Sequence, residues 1–134
     1  MNRDQWLRRF LWASAAFNMG GVGLFAFSGS ALSQMFDLPA EVPPLYRALT
    51  VLFMLLFGGA YAWAAAAPRI ERPLVVFGAI GKLAAFAVVA GLWATSAITT
   101  RTLGMVSGDL VFAALFFWAL AGARTDARAA PALS

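Results

Sequence analysis

Cysteine and histidine are both missing from this chain of 134 residues. Without cysteine there is no disulfide framework, no CxxC redox pair and no thiolate nucleophile. Without histidine there is no imidazole to hold haem or zinc, and the commonest general base and triad member is gone. No metal and no cofactor is expected. The five methionines are weak ligands and read better as apolar packing. Charge is scarce as well. Only 12% of the residues are charged, against roughly 25% in a soluble domain, which argues against a water-soluble fold.

What is abundant is apolar sequence, at 62% of the chain. It falls into four runs, Leu11–Phe27, Leu49–Ala67, Leu74–Ala94 and Leu103–Ala123. Each is close to the ~20 residues that a membrane helix needs. The expected fold is all-α, a polytopic four-transmembrane-helix bundle forming one domain over residues 1–134, with spans at about 6–27, 46–67, 73–95 and 103–122. The runs consume most of the length, so no extramembrane domain with its own core is expected.

A net charge of +4 invites a nucleic-acid reading, but the arginines are spread over helix ends and not gathered on one face. No nucleic-acid partner is expected. Arg3, Arg8, Arg9, Arg69, Arg72, Arg124 and Arg128 fall on one side of the four spans, and only Arg47 and Arg101 on the other. That excess marks the cytoplasmic side and puts both termini there. Trp6, Trp63 and Trp118 near inner ends, and Tyr46 and Trp93 near outer ends, suit headgroup depth. Trp12 is deeper and is expected to face a neighbour. The first span also has some features of a signal peptide, with Arg8-Arg9 before the apolar run and Ala26 and Ser28 as a small-residue cleavage site. Its length, and Asn18 within it, favour a retained span.

The stretch Ala31–Leu38 is mildly amphipathic and reads as a short helix along the outer interface, stopped by Pro39, Pro43 and Pro44. Residues 68–73 form a tight charged turn, which predicts that the second and third spans are antiparallel neighbours. Gly58 and Ala62, and the GxxxG pair Gly104 and Gly108, read as close-approach faces. From Arg124 onward an Ala-rich, frayed tail is expected.

Two charges stand inside apolar runs, Lys82 and Asp109. Lys82 is nine residues past Pro73, ~13 Å in at 1.5 Å per residue. Asp109 is twelve residues before Ala121, ~18 Å from the same side, and Asn18 is ~16 Å in. Three polar groups from three helices thus share one layer. Tyr61 lies lower, at ~9 Å, with a hydroxyl able to point upward, and Ser14 is one turn from Asn18. A charge at a span centre costs about 2.5–3.5 kcal/mol, so Lys82 and Asp109 are expected to pair, with Asn18 completing the hydrogen bonds. One reading makes Lys82, Asp109, Asn18 and Tyr61 a ligand or proton site. The other makes them a staple that fixes helix register. Gly81 and Gly108 give either room for a ligand or, by preference, close helix contact. Arg47 is a candidate for a lipid head-group contact or a helix anchor.

The layout resembles the small four-helix DoxX-like inner-membrane proteins of bacteria and related uncharacterised families. The resemblance rests on the Pro-containing outer loop, Arg47, Gly58-Gly59-Ala60-Tyr61, Pro68, Gly81-Lys82 and Asp109. It implies a multi-pass protein of the bacterial inner membrane in which Lys82 and Asp109 matter. Some members are associated with quinone-linked redox complexes, but no residue here matches a catalytic motif that would carry an activity over. The leading expectation is a non-catalytic subunit that assembles or stabilises a membrane complex. Its partners would be membrane lipids, other membrane subunits or further copies of itself. The alternative is a small homo-oligomeric, proton-coupled transporter or channel built on the Lys82–Asp109 pair. A weaker alternative is a lipid- or quinone-handling membrane enzyme; the expectation is no enzyme.

Overall fold

The structure is a computed structural model describing residues 1–129, with side chains described to residue 122. Among the described residues every regular element is helical: α1 (Arg3–Ala26), α2 (Ala31–Met35), α3 (Pro44–Ala66), α4 (Arg72–Ala94) and α5 (Thr100–Ala129). Local chemistry sets the ends. Asn2 and Gln5 form a capping box at the start of α1, each side chain accepting from the other's backbone N–H at 2.9 and 3.0 Å. Proline opens α3 at Pro44 and stands in the first turn of α4 at Pro73, where a missing N–H costs nothing. α2 and α4 both stop with a residue in left-handed backbone, Asp37 (φ 55°) and Ser96 (φ 59°). The next residues, Leu38 and Ala97, bond back to Ser33 and Leu92, the Schellman pattern usually given to glycine.

Three helices, α3, α4 and α5 to Gly122, are long and apolar enough to cross a membrane. α1 is equally long at 24 residues, but Arg8, Arg9, Asn18 and three glycines make it less apolar. α5 continues to Ala129, so the tail expected from Arg124 is helical at its start. The side chains of Arg124 and Arg128 and the segment 130–134 lie outside the described residues.

The N-terminus, the α3–α4 turn and the later part of α5 lie at one end, the basal end. Arg8 fixes this end, donating to the carbonyls of Ala65, Ala67 and Pro68 at 2.6, 2.6 and 2.9 Å. These are orphan carbonyls of the end of α3, so one guanidinium caps that helix and ties α1 to the turn. Arg3 donates to Trp118 O at 2.8 Å and stacks on the Trp118 ring. Above them lies a compact core in which Leu7, Leu11, Tyr61, Val75, Ala79 and Phe116 are all almost fully buried.

Helix order around the bundle is α3–α1–α5–α4, and three of its four sides are packed. On the fourth, α3 and α4 are adjacent as expected but packed over only part of their length. α3 and α4 share a short turn yet meet only in their basal halves, where Tyr61 Oη donates to Gly78 O at 3.2 Å and Phe57 stacks on Phe77 at 6.1 Å. Beyond that aromatic wedge they separate. The small residues divide accordingly. A Cβ on Gly58 would meet Asn18 Cβ at 3.2 Å, and one on Gly108 would meet the Phe17 ring at 2.6 Å, so both mark close α1 contacts. Gly104, the other half of the GxxxG pair, faces open space. Trp12 is half exposed and faces outward from the chain. α1 supplies Leu7, Leu11, Ala15 and Asn18 to the interior, so cleavage after Ala26 would strip the bundle of one wall.

Candidate functional site

Where α3 and α4 part, the bundle holds a cavity of about 700 Å³ that is open on one side. This is within the ~300–1,000 Å³ usual for small-molecule sites. Its walls are apolar, with Phe17, Phe25, Phe53 and Phe57 prominent, and the polar side chains among its lining are Asn18, Tyr61, Lys82 and Asp109. These come from four different helices, so the bundle must be assembled before the site exists.

Lys82 is the chain's one lysine and is 4% exposed. Its Nζ donates to Asp109 Oδ1 at 2.6 Å and to Asn18 Oδ1 at 3.1 Å. The rings of Tyr61, Phe17 and Phe112 surround it at 5.2, 5.3 and 5.4 Å, each close enough to attract a cation through its face. The ammonium therefore exchanges water for two oxygens and three aromatic faces. Asp109 is 19% exposed and turns toward the cavity. Among the described residues its carboxylate is bonded only through Oδ1. Asn18 Nδ2 makes one long bond, 3.4 Å, to Met54 O. The cluster thus keeps acceptor and donor capacity facing empty space.

Tyr61 differs from expectation. Its hydroxyl points sideways to the Gly78 carbonyl, and its ring, not its hydroxyl, meets Lys82. The reason is steric, since Gly78 has no side chain and the phenol fits against its backbone. Ser14 does not extend the network. Among the described residues its Oγ is buried without a hydrogen-bond partner, facing the tight basal core one turn below Asn18. Gly81 lines the cavity, and a Cβ there would make only ordinary contact with Phe57 at 3.6 Å. Gly81 marks room and Gly108 marks contact, so the two glycines beside the charges do different work. Arg47 stands apart at the start of α3, reaching Ser28 Oγ at 3.4 Å. Of the rings around Lys82, Tyr61 was legible in the sequence and Phe17 and Phe112 were not, although Phe112 is one turn from Asp109 and Phe17 adjoins Asn18.

The far end of the cavity is roofed. Leu32 and Phe36 of the α2 segment line it from above. That segment is helical over Ala31–Met35 and is tied to the α4–α5 connection and the start of α5. Thr102 Oγ1 donates to Phe36 O at 2.8 Å, Thr99 Oγ1 donates to Asp37 Oδ2 at 2.7 Å, and Arg101 is 3.7 Å from Asp37. The core closes the base and α2 closes the top. The open side is the gap between α3 and α4.

No family model, curated protein or solved structure matches this chain.

Proposed function

We propose that the chain is a small integral membrane protein of four spans, with the basal end cytoplasmic, that takes a membrane-dissolved ligand into the cavity above Lys82. The observation that carries this reading is the chain's one lysine, paired and buried at the floor of a 700 Å³ cavity. A staple between helices needs no empty space beside it. Interhelical polar contacts also average only ~0.6 kcal/mol, a small return for two charges that cost about 2.5–3.5 kcal/mol each. Retaining them argues for a ligand.

α1 is the fourth span in this reading, since 24 residues reach ~36 Å and its arginines sit at the basal end. The excess of arginine at that end supports a cytoplasmic orientation. The bacterial inner membrane is the compartment that the DoxX-like resemblance suggests. Arg47, at the opposite end, is suited to a lipid phosphate. The role is binding, with Lys82 and Asp109 holding the ligand and not transforming it. An accessory subunit that carries such a site into a larger complex keeps the leading expectation within this proposal. A transporter is the second reading. It is favoured by the ionisable pair itself, since Lys82 and Asp109 stand together inside long apolar helices, where such groups mark ion and substrate pathways.

The test is native mass spectrometry of the protein released from its own membrane in mild detergent. The wild type is expected to carry a non-protein adduct. Ala85→Phe, which fills the cavity, is expected to lose it while melting normally. An adduct kept equally by both would remove the cavity from the account.

A further inference from the structure

We infer that the ligand of this cavity is an uncharged, hydrogen-bonding amphiphile, such as a hydroxyl-bearing chain, admitted sideways from the bilayer between α3 and α4. The inference rests on the reading above and deepens it from binding to ligand class. Two independent features carry it, the charge sum of the floor and the direction of the opening.

The floor sums to zero. Lys82 and Asp109 are 2.6 Å apart and are the lysine and the carboxylate among the cavity's described lining residues. Whether the shared proton sits on Nζ or on the carboxylate, the pair's net charge is the same. A carboxylate or ammonium head would therefore bring in one charge with nothing left to balance it. At this depth an unbalanced charge is worth on the order of 100-fold in occupancy. A hydroxyl brings none. It can donate to the free oxygen of Asp109 while accepting from Asn18 Nδ2, whose bond to Met54 O is stretched to 3.4 Å, or from Lys82 Nζ. A neutral donor–acceptor head matches the unused capacity of the cluster, and the phenylalanine-rich walls match an apolar body.

The opening faces lipid. α2 and its latch through Asp37 and Thr102 cover the distal end, and the core around Tyr61 and Phe116 seals the base. Phe53 and Met54 on α3 face Ala85 and Val89 on α4 across the remaining side, above the Phe57–Phe77 wedge. Water-soluble molecules have no path there, whereas a molecule dissolved among acyl chains does.

Three photoreactive probes decide it, dodecyl chains carrying the same diazirine and ending in a hydroxyl, a carboxylate or an ammonium. They are added to the full-length protein in phosphatidylcholine nanodiscs, and labelled residues are located by mass spectrometry. The hydroxyl probe is expected to label Phe53, Met54 and Ala85 at least tenfold more than either charged probe. Asp109→Asn leaves the floor positive and is expected to shift labelling of the same residues toward the carboxylate. Lys82→Gln is expected to shift it toward the ammonium. Equal labelling of the cavity by all three, or a carboxylate preference in the wild type, overturns the neutral-head inference and leaves the cavity a binding site. Labelling confined to outward faces such as Leu52 overturns both. The wild-type comparison stands even if neither variant folds.

Discussion

Removing one member of the Lys82–Asp109 pair should cost far more than removing both. The pair is 2.6 Å long, with Lys82 4% and Asp109 19% exposed. Asp109→Leu leaves the ammonium among three aromatic rings with only Asn18 Oδ1 as a partner. Breaking a buried pair in this way costs about 3–5 kcal/mol. Lys82→Met leaves a carboxylate that is one-fifth open to the cavity and can take up a proton, so its cost should sit lower, at about 2–3 kcal/mol. Lys82→Met with Asp109→Leu together removes both desolvation costs and should fall within about 1 kcal/mol of wild type, or above it. The three variants form a double-mutant cycle with a coupling energy of at least ~4 kcal/mol. Reversible unfolding in bicelles by steric trapping measures it. Single variants that each cost under ~1 kcal/mol and simply add would refute a buried, mutually dependent pair.

Glycine tolerance should follow the geometry. Gly78→Ala sets a Cβ 2.6 Å from Tyr61 Cε1 and should cost about 1–3 kcal/mol in a thermal melt, while Gly81→Ala should be nearly silent. Arg8→Ala frees three carbonyls at the α3 terminus, worth about 2 kcal/mol at this half-exposed site. Arg8→Lys should recover only part of that in the same melt, since an ammonium cannot fork. Asp37→Ala removes the latch to Thr99 and places alanine at φ 55°, so hydrogen exchange across residues 31–38 should speed up several-fold. Asp37→Asn keeps an oxygen and a side chain tolerant of that backbone, and should fall between.

The sequence was most legible where distance along a helix decides. At 1.5 Å per residue, Asn18, Lys82 and Asp109 fall in one layer, and in the structure one hydrogen-bonded cluster joins them. Helix ends were legible for the same local reason, through Pro44 and Pro73. Sideways relations were not. A turn of a few residues at 68–73 implied antiparallel neighbours, and α3 and α4 are adjacent, but no local pattern says that their contact is confined to the basal half around Phe57 and Phe77. Glycine was ambiguous in the same way. Gly108 receives Phe17 and Gly104 receives nothing, although both belong to one GxxxG pair. The roof was hidden too, because Asp37 reads as part of the polar side of a short helix over 31–38, whereas that helix ends at Met35 and the left-handed backbone of Asp37 turns it onto Thr99.

The central claim is that the cavity over Lys82 holds a ligand drawn from the membrane. Capturing that ligand where the protein lives tests it most directly. With p-benzoylphenylalanine in place of Phe53, which lines the cavity, illumination of cells should crosslink one uncharged amphiphile, identified by the mass of the adduct. The same replacement at Leu52, its neighbour on the outward face of α3, should capture only bulk phospholipid. The same phospholipid adducts at both positions would contradict the account.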